Sequence, residues 1–254
     1  VERDQSSWSL PSDLYTRPEV GLEYAAQDLL IRDCLRERGI EGPPVRAYNA
    51  DAPRPATSNE VGRRLFDGGI AVRFGYSEEV DPRIDWGTYQ ALQESDFWND
   101  PQNDEAYLEC VDVASQYEGV GFSEATGGEF AVSDFMEAHE IQEAAQRWRE
   151  CMAPLGVADL SDPYAFPTVE LLSRWGYQAD TAPWIQAAPS EDEIRVAEFD
   201  AACRESSGWA ETVYEAAWEA EEEYLAKHFN ELEALRAKYG EQRETYLRII
   251  EEYS

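Results

Sequence analysis

Positive charge is scarce in this 254-residue chain: 21 Lys and Arg stand against 53 Asp and Glu, a formal net charge of −32. A field of that sign repels nucleic acid and anionic membranes, whose binding requires the opposite charge, so nucleic acid is not an expected partner. The field favours cations and basic partners, although an acid excess spread along the whole chain is also the ordinary composition of a soluble surface. Long apolar runs are missing as well, and no window reaches the ~18 uncharged apolar residues of a membrane span. Histidine occurs only twice, as His139 and His228, and nothing in their spacing supports a Cys-His or Ser-His-Asp site. No G-x-S-x-G, H-E-x-x-H, Walker loop or G-x-G-x-x-G is present, and no C-x-x-C. The Gly127-Gly128 pair is turn chemistry.

What the chain does have is apolar and aromatic mass: 43% hydrophobic residues with 8 Trp, 14 Tyr and 9 Phe. This is not a disordered composition, and aromatic burial can build a core despite the charge. Helix punctuation recurs. Thr16-x-x-Glu19 with Pro18 predicts a capping box opening a helix to about Arg38, with Gly39 at its left-handed end. Thr57-x-x-Glu60 predicts a second helix, ending near Gly75-Tyr76. Further helices are expected over 85–94, 104–117, 134–153 (capped by Ser133) and 168–175. Ser190-x-x-Glu193 opens another, carrying Val196, Phe199 and Cys203. From Trp209 onward no Pro occurs, and a stripe from Val213 through Ala217, Tyr224, His228, Leu232 and Tyr246 to Tyr253 keeps close to the 3.6-residue period. Glu221 and Gln242 interrupt that stripe. An unbroken helix there would be roughly 65 Å long at 1.5 Å per residue, so it must pack along an elongated body, project, or break near Gly240.

The four cysteines, Cys34, Cys110, Cys151 and Cys203, are too far apart for a zinc pattern. Three share one local pattern of Cys, four residues, Gly and an apolar residue: Cys34 with Gly39-Ile40, Cys151 with Gly156-Val157, Cys203 with Gly208-Trp209. Each is thereby expected about one turn before a helix end. The even count fits two disulfides and an oxidising compartment, with three connectivities open. The opening VERDQSSWSLPSD is polar and loop-like and suits either a mature or a trimmed N-terminus; a lipid-anchor cysteine, if one exists, is expected upstream of Val1.

Several short motifs carry a resemblance: Cys34-Leu35 with Gly39-Ile40, Gly75-Tyr76, Tyr89-x-Ala91-Leu92 before Cys110, Trp148-x-x-Cys151-Met152 with Gly156, and Glu193, Ala197, Asp200 and Cys203 ahead of a long Tyr- and Glu-rich helix. Together they span most of the chain, and it resembles a broad group of exported, often lipid-anchored actinobacterial proteins of unassigned function. The resemblance implies export and disulfides joining the first two and the last two cysteines. It implies no catalytic residues and no cofactor. Glu109 stands before Cys110 where the resemblance leads one to expect Gly.

Carboxylates are too numerous for the sequence to single out a catalytic pair. The oxygen-rich stretch containing Asp96, Asp100 and Asp104 is a weak candidate for calcium and otherwise an ordinary turn. Glu221-Glu222-Glu223 reads as the solvent face of a helix. Trp86, Phe97, Trp98, Trp184 and Trp209 fall in or near predicted loops or helix starts, where aromatics either form binding surfaces or anchor loops to the core. The expected architecture is mainly α: one or more helical domains stapled by disulfides, with a long C-terminal helix. It divides into an N-terminal region over 1–132 with long loops and a C-terminal region over 133–254, or forms one continuous domain. The expected role is an exported cell-envelope interaction or accessory protein with a protein or envelope partner, anchored to a membrane only through a lipid outside this chain. The alternative is a cell-envelope hydrolase using paired carboxylates.

Overall fold

A computed structural model describes residues 1–55, 65–77, 79–120, 134–157, 160–176 and 188–254. Among these residues there are helices and no strand; extended backbone pairs only at the isolated bridges Asp4–Ser9 and Tyr48–Ile84. The helices are α1 (Val20–Glu37), α2 (Gly68–Phe74), α3 (Trp86–Gln93), α4 (Pro101–Ser115), α5 (His139–Met152), α6 (Val169–Arg174), α7 (Glu191–Ser206) and α8 (Trp209–Tyr253). The mainly α expectation, the disulfides and the long C-terminal helix all hold.

Local signals decide most boundaries. Asp85, Asp100, Thr168 and Ser190 each cap a helix by accepting a backbone N–H, from Gly87, Gln102, Leu171 and Glu193 respectively. At the end of α1, Gly39 takes φ +75°, Ile40 N–H bonds to Leu35 C=O and Gly39 N–H to Arg36 C=O. That is the Schellman arrangement, with Ile40 packing back on the core.

Some expectations need correction. Thr16-x-x-Glu19 does not open α1; the helix starts at Val20 and Glu19 is its N-cap residue without a side-chain cap bond. Glu19 is instead drawn to Arg83, Arg54 and Arg243. The segment over 134–153 is split into a short 3₁₀ turn (Asp134–Glu137) and α5, with Ala138 between them. Thr57, Glu60, Ser133, Gly127, Gly128 and Trp184 lie outside the described residues. The long helix does not break at Gly240; the one residue with non-helical dihedrals is His228, at φ −114° and ψ 16°. A glycine weakens a helix without removing its hydrogen bond, so Gly240 alone does not force a break.

The fold divides into two compact units, and not at residue 132. One comprises Val1–Leu14, Pro55–Val80 and Gly128–Phe229; the other Tyr15–Arg54, Asp81–Gly127 and Asn230–Ser254. In the second unit α1 packs on α4, and Cys34–Cys110 joins them with Cα atoms 5.7 Å apart. Its core gathers Leu22, Leu29, Ile31, Leu35, Phe97, Ala114, Tyr246 and Ile249. Glu109, the departure from the resemblance, pairs there with Arg38. In the first unit α7 packs on α2 and α5, and Cys151–Cys203 staples α5 to α7.

Candidate functional site

The first unit brings together residues that are far apart in sequence around one buried carboxylate. Asp200, on α7, is fully buried. Its Oδ1 accepts from Trp148 Nε1 at 2.8 Å and Arg204 Nε at 2.9 Å; its Oδ2 accepts from Tyr76 Oη at 3.1 Å and Arg204 Nη2 at 3.0 Å. A carboxylate offers about four lone-pair sites, so all are filled. Arg204 follows Asp200 by one helical turn and also donates to Pro163 C=O at 2.7 Å. This is a buried ion pair with its remaining polar groups satisfied, the condition under which burying charge is tolerated.

Aromatic rings surround the pair. Tyr76 stacks on Phe66 at 5.3 Å and on Trp175 at 5.5 Å, and meets Phe166 edge-on at 5.6 Å; Trp148 meets Phe166 edge-on as well. The Arg204 guanidinium lies 4.7 Å from the centre of the Phe66 ring. Tyr76 is placed by its neighbour Gly75, whose φ of +58° turns the chain after α2. A Cβ at Gly75 would sit 2.6 Å from Glu193 Oε1, which accepts the Tyr76 N–H at 3.0 Å. The second half of the Ser190-x-x-Glu193 box is therefore spent on this tertiary contact, while Ser190 still caps α7. Gly75-Tyr76, Trp148, Glu193 and Asp200, scattered motifs in the sequence, converge here.

Above the ion pair lie two neighbouring hollows, of about 570 Å³ and about 400 Å³. Trp8, Phe66, Arg204 and Ala210 line both. The larger also meets Gln5, Ser6, Asp67, Glu205 and Glu211; the smaller meets Tyr76, Tyr164, Phe166 and Trp209. Tyr164 is 59% exposed and packs edge-on to Trp209. Trp8 is half-buried, edge-on to Tyr214, and is the one non-glycine among the described residues with positive φ (φ 51°, ψ 35°). A bulky side chain in the left-handed region stores strain, and such strain concentrates at binding sites. Trp8 is held by its surroundings. Asp4 caps the turn before it, accepting from Ser6 and Ser7 hydroxyls, which lowers the Asp4 carboxyl pKa, and Tyr214 Oη donates to Ser9 C=O at 2.8 Å.

The sequence candidates fall elsewhere. Asp96 accepts from the Asn99 amide, Asp100 caps α4, and Asp104 lies in the first turn of that helix; among the described residues no three His, Cys, Asp or Glu side chains gather as a metal site. His139 is exposed beside Glu143, and His228 stacks on Tyr224. Glu221 does not face solvent with Glu222 and Glu223: it is 1% exposed and accepts the Ser12 N–H at 3.0 Å, because it lies on the packed stripe of α8. Of the proposed loop aromatics, Phe97 and Trp209 are buried, Trp98 donates to Leu92 C=O, and Trp86 packs on Tyr89. Among the described four, only Trp209 reaches the cleft.

No protein-family model matches the chain, and neither a curated protein nor a solved structure is significantly similar to it. The candidate site stands on its geometry.

Proposed function

We propose that this chain is an exported cell-envelope binding or accessory protein that holds its ligand in the aromatic cleft over Asp200 and Arg204. The observation that carries the reading is the cleft itself: rings from three separate chain segments, including a strained Trp8 and an exposed Tyr164, line hollows of small-molecule size above a fixed polar floor. Two disulfides support an oxidising compartment, and the resemblance points the same way. The hydrolase alternative is weaker, because Asp200, the carboxylate beneath the cleft, has its lone pairs filled and its charge matched by Arg204.

The test is sedimentation of the purified protein with isolated envelope material, beside fractionation of the cells that make it. Wild type should be retained and found outside the cytoplasm, while a Trp8→Ala/Tyr164→Ala variant should lose about ten-fold in retention, in line with aromatic hot spots at binding surfaces. Equal retention of both proteins, or a cytoplasmic location, overturns the proposal.

A further inference from the structure

The cleft's charge identifies what it would take, and this inference rests on the binding reading above. Three acidic side chains, Asp67, Glu205 and Glu211, border the larger hollow, and all three are exposed. The single cation among the described lining residues, Arg204, is neutralised from below by two hydrogen bonds to Asp200 and a third to Pro163. The floor is thus a neutral pair, and among the described residues no ion pair matches the three rim carboxylates, within a chain of net charge −32. Low-dielectric walls focus the field of such charges into a cleft. The rings supply the second half of the recognition: Phe66 is already stacked on Tyr76 and carries the Arg204 guanidinium, but Trp8 lines both hollows, and an indole is the ring that attracts cations best. Carboxylates alone would not select a ligand, and rings alone would accept any apolar one. Together they select a positive group on an apolar body.

We infer that the cleft binds a small organic cation, an ammonium group carried on an apolar or aromatic body, seated against Trp8 with its charge toward Glu205 and Glu211. Anions are excluded by the rim, and neutral ligands of the same shape gain only the ring contacts.

The experiment uses the full chain and three probes that share one body and differ in charge: 2-phenylethylamine, 2-phenylethanol and phenylacetate. Calorimetry or ligand-observed NMR at low salt should rank them in that order, with the amine about ten-fold tighter than the alcohol, a gap that cation–π and rim charge together can supply and that added salt should narrow. Glu205→Gln/Glu211→Gln alters exposed positions only, and circular dichroism checks that its fold is intact; it should bring the amine to the level of the alcohol. Trp8→Ala should weaken amine and alcohol together. If the alcohol binds as tightly as the amine, or the double Gln variant keeps the preference, the cation inference falls. If that happens while Trp8→Ala still abolishes binding, the cleft remains a binding site and only its charge selectivity is refuted. No binding of the amine at millimolar concentration, or amine binding indifferent to Trp8, also overturns the inference, and the second result takes the cleft reading with it.

Discussion

At the scale of single residues, two side chains carry unusual energetic weight. Trp8 combines a packing role with a backbone conformation that L-residues avoid at roughly 1–2 kcal/mol. Trp8→Gly and Trp8→Ala delete nearly the same ring contacts, but only glycine relieves the left-handed strain. The glycine variant should therefore be more stable than the alanine variant by about 1 kcal/mol in urea denaturation; equal stabilities, or a more stable alanine variant, would mean that the backbone is not strained. Tyr76 tests the hub under the cleft. Tyr76→Phe keeps the ring stack with Phe66 and Trp175 and removes one donor to Asp200, so it should cost about 1.5–3 kcal/mol, the range for a hydrogen bond to a charged group. A cost near zero would show that the hydroxyl does not share in holding the buried charge. Trp8 was not identifiable as special in the sequence. It sits in an opening that reads as polar loop, and no propensity forecasts a left-handed tryptophan. Gly75-Tyr76, Trp148 and Asp200 did stand out as motifs, but their spacing of many tens of residues gave no reason to place them on one carboxylate.

At the scale of elements, the signals that worked were local ones. α3 and α6 begin within the expected ranges 85–94 and 168–175, and α7 begins where the Ser190 cap predicts, since a cap needs only its own first turn. The signals that failed were those open to tertiary competition. Glu19 is taken by arginines of the second unit and Glu193 by Tyr76, so both boxes lose their reciprocal bond. The start of α7 offers a titration test. Asp192 accepts from Trp175 Nε1 and pairs with Arg195 and Arg174, in that order of effect, and these donors hold its carboxyl down to about 2 from the ordinary 3.8. A depressed carboxyl contributes stability above its unfolded pKa and loses it as pH falls through the folded one. The tie of α6 to α7 should thus be intact above pH ~4 and dissolve toward pH ~2, visible as a Trp175 indole shift in NMR that Asp192→Asn removes. An indole signal that titrates near 4 would refute the assignment. The end of α8 behaves as core: Tyr246 and Ile249 are 1% and 0% exposed, and Tyr253 C=O accepts from Arg32. Truncation after Tyr239 should consequently cost at least ~5 kcal/mol, since removing even one such side chain from a core costs about 2–5. Unchanged stability would leave the tail as mere solvated helix.

At the scale of the whole molecule, recurring helix caps, the 3.6-residue period and the cysteine count pointed to the class of architecture, and chain order concealed its organisation. A contiguous reading places a boundary at residue 132, yet α1 pairs with α4 and the chain end, and α2 with α7, so both units are assembled from three separated segments. Periodicity reports which face of a helix is buried and says nothing about which distant helix buries it. The cysteines hold these assemblies. Cys34–Cys110 closes a separation of 76 residues inside the second unit, and Cys151–Cys203 one of 52 inside the first. A chain of net charge −32 repels itself when compact, so restricting the unfolded ensemble matters more here than in a neutral protein. Loops of these lengths confer roughly 4 kcal/mol each in the chain-entropy account. Cys34→Ala/Cys110→Ala should lower stability by about that amount, with amide exchange rising most steeply in α1 and α4, while Cys151→Ala/Cys203→Ala should do the same in α5 and α7. The second pair staples α5 to α7, the helix that carries Asp200 and Arg204, so its removal should also weaken whatever the aromatic cleft binds, and removal of the first should not. A loss of binding that is equal for the two pairs would disconnect the staple at Cys203 from Asp200 and Arg204, which flank it in α7, and would trace the effect to global unfolding instead.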